Sequence, residues 1–267
     1  SPEKAYMRGG RLAVLMEFFD CNVSYGPSEV PPPSFSETPQ ALLDEMDFCG
    51  VQEALVRHAA QRDDSPLVGN ELLAEEMGGY ERLHGAWAVL PPQTGEQGGV
   101  DSFLDAMRER RIQALWAYPA EHRFLMTRTA LGSLYEVMVE KRIPLFLSVT
   151  ESCGGLSGWM LVEQVLAASA ELTLVVTDHG SWGDDRLFRP LLESYGNLYV
   201  DTSRYELDGG LAALCRRYGP GRLLFGTGYP QMNMGGPLLT LASADISDSD
   251  REAVGGANLR RILGSVR

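Results

Sequence analysis

Eight short apolar runs recur along this chain at intervals of roughly 25 to 35 residues, the spacing of a strand, a helix and their turns. They cover 12–23, 52–58, 83–92, 112–119, 143–151, 172–180, 197–205 and 222–230. Between them the pattern turns helical. The segment "TPQALLDEMDFCG" opens with a Thr cap and an early Pro and closes on Gly. "LGSLYEVMVEKR" repeats apolar residues three and four apart and ends on basic ones. "LVEQVLAASA", "RLFRPLLESYG" and "GGLAALCRRYG" behave alike, and "SDSDREAVGGANLRRILG" reads as a capped terminal helix pair. Eight such alternations in 267 residues describe an α/β chain folded as a (β/α)8 TIM barrel. No linker divides the chain, so one domain is expected over 1–267, with residues 1–10 as an appendage outside it. A doubly wound open sheet is the alternative, because closure leaves no mark in a sequence. The Pro-rich "SEVPPPSFSETP" reads as a loop over the barrel mouth.

Composition narrows the function classes. A net charge of −13 argues against a nucleic-acid surface, which needs clustered Lys and Arg. No run approaches the ~20 apolar residues of a membrane span. The opening "SPEKAYMRGGRL" lacks the apolar core of a signal peptide. Cys21, Cys49, Cys153 and Cys215 form no CxxC pair and read as free thiols of a reducing compartment. A cytoplasmic protein with a small-molecule ligand is expected, without nucleic-acid or membrane partners. A homodimer is the commonest assembly for such chains.

In a barrel, chemistry belongs at the C-terminal strand ends. These ends offer Asn22 and Ser24, Arg57 and His58, Trp116 and Tyr118, Ser148 and Glu151. The later strands add Asp178 and His179, Asp201, Ser203 and Arg204, then Thr227 and Tyr229. Alternation along a strand lets only every second residue face inward. His179, placed where "LTLVV" opens into its loop, reads as a general acid or base; a structural histidine is the competing reading. Asp201 is a candidate base or orienting carboxylate, and Arg57 and Arg204 are candidate clamps for a substrate carboxylate or phosphate. Trp116 and Tyr118 could stack on a ring or simply pack the core. "GTGYPQ" starts like a dinucleotide fingerprint, but Gln231 holds the third glycine position. No G-x-S-x-G elbow occurs.

In their order, "LLDEMDFCGVQEALV", "LYEVMVEKRIPLFLSVTE", "NLYVDTS", "RLLFGTGYP" and "GGANLRRIL" resemble the amidohydrolase superfamily. The resemblance is to its amidohydrolase-related, aminocarboxymuconate-semialdehyde decarboxylase-like branch and spans nearly the whole chain. It implies a TIM barrel with hydrolase or lyase chemistry and zinc or a similar divalent ion. That family's Asp-x-His-x-His corresponds here to Asp20-Cys21-Asn22-Val23-Ser24, and Ser148 stands where a strand-five histidine is usual. His179 is retained, while Gly228 stands where an aspartate binds metal and activates water. One histidine with neutral Asn and Ser falls short of the roughly three ligands of a catalytic zinc. The expectation is therefore no metal cofactor, and a metal-independent hydrolase or lyase acting on a small polar or carboxylated molecule. His179 and Asp201 would be catalytic. Asn22, Ser24, Arg57, Trp116, Tyr118, Ser148, Arg204 and Tyr229 would hold substrate. The alternatives are a non-catalytic small-molecule- or partner-binding descendant, and a metal-dependent hydrolase with ligands relocated to Glu151, Asp178 or Asp201.

Overall fold

The computed structural model describes residues 16–28, 31–180 and 183–267. Each apolar run delivers a strand: β1 (Phe19–Tyr25), β2 (Glu53–His58), β3 (Leu83–Ala88), β4 (Ile112–Ala117), β5 (Leu145–Ser148), β6 (Leu174–Thr177), β7 (Leu198–Asp201) and β8 (Leu223–Leu224). The strands are shorter than the runs because apolar residues continue past the last ladder hydrogen bond into the loops. Each strand pairs in parallel with its sequence neighbours. The first and last strands then meet. Val23 bridges Tyr229 in parallel, and Cys21 N donates to Phe225 O (2.8 Å), Ser24 N to Tyr229 O (2.9 Å) and Gly228 N to Asn22 O (3.0 Å). This seam closes the TIM barrel and rules out the open doubly wound sheet. Residues 1–10, expected as an appendage, and 12–15 of the first run lie outside the described residues.

Helices return the chain between strands: α1 (Pro39–Cys49), α2 (Pro66–Glu76), α3 (Val100–Glu109), α4 (Arg128–Lys141), α5 (Gly158–Ala168), α6 (Asp185–Ser194), α7 (Gly210–Tyr218) and α8 (Gly235–Ser243). The expected signals terminate α1: the Thr38 hydroxyl accepts from Ala41 N at 3.2 Å, and Gly50 ends the helix in the left-handed region (φ 81°). A two-residue-per-strand hairpin (Ser152–Cys153, Leu156–Ser157) is inserted after β5, and a π turn (Ala253–Ala257) joins the terminal helices Asp248–Glu252 and Asn258–Leu263. No helix among the described residues is long and apolar enough to cross a membrane.

Alternation splits the core into two shells. Phe19, Leu55, Ala114, Phe146, Val175 and Leu224 fill the barrel interior, while Val56, Leu115, Leu145, Val176 and Val200 pack outward against the helices. Ala86, Ala88 and Ala114 keep the wall thin on one side, leaving room for Trp116, buried and stacked on Phe146 (centroids 5.0 Å apart). The interior is thus filled below and polar above, where Arg57, Ser148, Thr177 and Asp201 end their strands.

Candidate active site

A bulge in β1, between Asp20 and Val23, sets the geometry of the mouth. It inserts one residue into the register, so that Cys21 and Asn22 both turn toward the barrel axis. Asp20 holds the bulge in place. Its carboxylate accepts from Asn22 N (3.0 Å), Thr227 N (2.9 Å) and the Thr227 hydroxyl. Complete burial pushes the Asp20 carboxyl up to about 7, partly offset by those three bonds. It therefore serves as a buried weld between β1 and the end of β8.

Asn22 is the hub. Its amide Nδ2 donates to Asp178 Oδ1 (3.0 Å) and Asp201 Oδ2 (3.1 Å), while Oδ1 accepts from an Arg57 Nη at 2.6 Å. The other Arg57 Nη donates to the Tyr118 hydroxyl at 3.2 Å, and the guanidinium carbon lies 3.6 Å from the Trp116 ring centroid. Arg57 Nε has no partner among the described residues. The arginine is thus a flat cation laid on an indole and fixed at two corners. Burial, reinforced by the neighbouring Asp178 charge, pushes the Asp201 carboxyl up to about 8. Both causes favour the protonated form of this carboxyl.

Five of the residues expected in the site converge here: Asn22, Arg57, Trp116, Tyr118 and Asp201. His179 does not. Its ring is fully buried on the helix side of the sheet, against Trp159, Phe188 and Tyr205, and Nε2 is 2.7 Å from the Asp201 backbone oxygen. Burial lowers its pKa, so the neutral ring donates to that carbonyl. The cause is one residue upstream. Asp178 adopts φ 62°, a left-handed turn that breaks alternation after Thr177, throwing His179 outward and the Asp178 carboxylate inward. Sequence alternation alone put the wrong member of the Asp-His pair at the mouth. The surviving signal was the aspartate itself, since Asp is among the residues that tolerate this conformation.

The other candidates make no hydrogen bond to this hub among the described residues. Ser148 Oγ pairs with Thr150 Oγ1 at 2.8 Å. The Tyr229 hydroxyl pairs with Ser36 Oγ at 2.9 Å, tying the Pro-rich loop to the end of β8. Ser24 and Arg204 are half-buried, and Arg204 Nε has no partner among the described residues. Gly228, where an aspartate had been expected by resemblance, has φ 72°; a Cβ there would lie 3.8 Å from Asp178 Oδ1. The carboxylate absent at 228 therefore has a counterpart close by, delivered from the end of β6.

A sequence model of the amidohydrolase family matches residues 26–265, nearly the whole chain. This chain belongs to the amidohydrolase family. No curated protein matches its sequence. Among solved structures, this amidohydrolase is similar to the dihydroxybenzoic acid decarboxylase of Polaromonas, with bound manganese and the inhibitor 2-nitroresorcinol. Identity there is 15%, TM-score 0.72, covering 93% of this chain and 97% of the other. It also resembles the 5-carboxyvanillate decarboxylase of Sphingomonas paucimobilis (14% identity, TM-score 0.68, 94% and 100% covered). The 4-oxalomesaconate hydratase of Rhodopseudomonas palustris is a third (14%, TM-score 0.67, 93% and 96% covered). At these identities the likeness establishes the fold. The family and its neighbours agree with the expected hydrolase or lyase.

The expectation of no metal cofactor is corrected by these comparisons: the Polaromonas neighbour holds manganese on the same fold. Asp178, Asp201 and Asn22 offer the hard oxygen donors that suit such an ion. As they are arranged, however, they do not form a complete centre. Among the described residues no group of three or more His, Cys, Asp or Glu is placed to hold a metal, and Arg57 occupies the Asn22 oxygen.

Proposed function

We propose that this amidohydrolase is a carbon–carbon lyase that decarboxylates a small, planar carboxylated molecule at the mouth built around Asn22. The observation that carries the reading is Arg57, stacked on Trp116 and pinned by Asn22 and Tyr118, with Asn22 reaching on to the buried Asp201. A guanidinium fixed in this way matches an anionic oxygen in a defined plane and loses little freedom on binding. Two fold neighbours named for the decarboxylation of ring carboxylates support the substrate class.

In the step this geometry allows, the bond from the carboxyl carbon breaks and carbon dioxide leaves. The electron pair stays on the ring carbon, which takes the proton held by Asp201. Solvent returns a proton through Asp178, the half-exposed carboxylate. Such acid catalysis contributes typically ~10²–10⁴-fold. His179 positions the β7 end through the Asp201 carbonyl. Ser24, Ser148, Arg204 and Tyr229 line the approach. One barrel domain over 1–267, cytoplasmic residence and a homodimer without nucleic-acid or membrane partners complete the reading, supported by four free cysteines and a net charge of −13.

The test is carbon dioxide release from 5-carboxyvanillate, 2,6-dihydroxybenzoate and related ring acids in the presence of Mn²⁺, with Arg57→Met beside the parent chain. Turnover of at least one acid is expected, with KM raised by about tenfold or more in the variant. Turnover unchanged by Arg57→Met, or no release from any acid, would overturn the proposal.

A further inference from the structure

A second concave surface lies at the opposite end of the barrel from Arg57. A cavity of about 560 Å³ opens where the N-terminal ends of β3 and β4 meet the C-terminal ends of α2, α3 and α4. That volume is in the range of small-molecule sites. Met107, Ile112 and Ile143 give it an apolar floor. Around that floor stand Arg108, Arg110, Arg111, Lys141 and Arg267, against one carboxylate among the described lining residues, Glu81. In a chain of net charge −13, five of its 23 Lys and Arg gather on this lining.

Helix ends account for part of this charge. Arg108 and Lys141 lie in the last turns of α3 and α4, where cations complement the helix dipole. Arg108, Arg110 and Lys141 also pair with Asp105 (2.9 Å), Glu71 (3.0 Å) and Glu140 (2.7 Å). These are exposed pairs, held weakly and readily exchanged for a better anion.

Arg111 is not accounted for in this way. It follows the helix, in the left-handed conformation (φ 60°) that ends helices on glycine in most chains. An arginine there carries a Cβ penalty, and among the described residues its guanidinium forms no ion pair. Arg123 and Arg142 adopt the same conformation elsewhere, so what sets the exposed Arg111 apart is its place, an unpaired guanidinium on the lining of an apolar-floored cavity where four other cations gather.

We infer that this cavity binds a small organic anion with an apolar body, separately from the catalytic mouth. Arg111 and Lys141 hold the carboxylate or phosphate, and Met107, Ile112 and Ile143 cover the hydrocarbon. The site goes beyond the proposed activity and does not depend on it.

The probe is 1-anilinonaphthalene-8-sulfonate, titrated by fluorescence into the intact chain, with octanoate and octyl phosphate as competitors. The variant is Arg111→Gly with Lys141→Gln. Its glycine suits the left-handed backbone, so the fold is kept, which circular dichroism checks. Expected is saturable binding of one probe per chain, displaced by at least one competitor, with Kd raised by about tenfold in the double variant. Displacement by one competitor alone identifies the head group. Unchanged affinity in the double variant, fluorescence that never saturates, or binding lost in Arg57→Met instead would each overturn the inference.

Discussion

One amide joins the carboxylates of Asp178 and Asp201 at the mouth. Asn22 Nδ2 reaches both carboxylates, and burial beside the Asp178 charge favours the protonated form of Asp201. This has a consequence for stability. Asp201 and Asp20 bind protons more tightly folded than unfolded, so in the window from about pH 4 to their folded values the native chain holds more protons. Stability therefore falls as pH rises through that window, by up to ~1.4 kcal/mol per pH unit for each group, and levels off above about 8 for Asp201. Asp201→Asn should flatten the dependence, leaving the share of Asp20. Urea unfolding of both proteins at about pH 5, 6, 7 and 8 measures it; parallel slopes would show that Asp201 is ionised in the folded chain. For the same reason turnover should decline on the alkaline side as Asp201 loses its proton.

Among the elements, the end of β8 is packed tightly against its neighbours. Gly226 faces inward between β7 and β1, and a Cβ there would come within 2.7 Å of Asp201 Oδ2 and 3.2 Å of both Asn22 Cβ and Cys21 Sγ. Only glycine lets the three strands approach closely enough for Asn22 to span from Arg57 to Asp201. Gly226→Ala should cost about 1–3 kcal/mol, the usual range for overpacking, and should also displace the Asn22 hub. Thermal unfolding reads the first effect and the Arg57-dependent KM reads the second. A variant as stable as the parent would mean that β8 shifts freely. β1 works by the opposite device: where β8 removes a side chain, the β1 bulge adds a residue. Sequence reasoning located the "GTGYP" turn and sensed a replaced carboxylate. It named Asp178 and Asp201 as relocated carboxylates but not the bulge and the left-handed turn that bring them together, because both are departures from the regular alternation on which such reasoning rests.

At the scale of the molecule, the barrel is closed by its weakest seam. β1 and β2 share a ladder through most of their length, whereas β1 and β8 are joined by one bridge and a few backbone hydrogen bonds near the mouth. Local opening follows local stability. The amides of Cys21, Ser24 and Gly228 should exchange with deuterium before those of the β1–β2 ladder, in an order that mass-resolved exchange can report. Equal protection across both junctions would count against a weak seam. The same architecture separates two kinds of chemistry. Strand C-termini carry the acidic, proton-holding mouth, and strand N-termini carry the cationic cavity. An acidic chain can therefore present a positive surface without mixing the two.

Periodicity, and with it the barrel, is written in the chain: eight apolar runs with helical intervals admit few other folds, and the caps of α1 can be read residue by residue. The chain also determines which residue types reach the strand ends, and most of the hub (Asn22, Arg57, Trp116, Tyr118, Asp201) is legible there. Which side of the sheet each one faces follows from the folded backbone alone. His179 and Asp178 are adjacent in the chain, and a single left-handed dihedral exchanges their roles. The cationic cavity is likewise not readable from the sequence, because residues as far apart as 107 and 143 come to one lining only through the pairing of neighbouring strands. Local pattern is written in neighbouring residues; convergence is set by backbone geometry summed around the whole barrel.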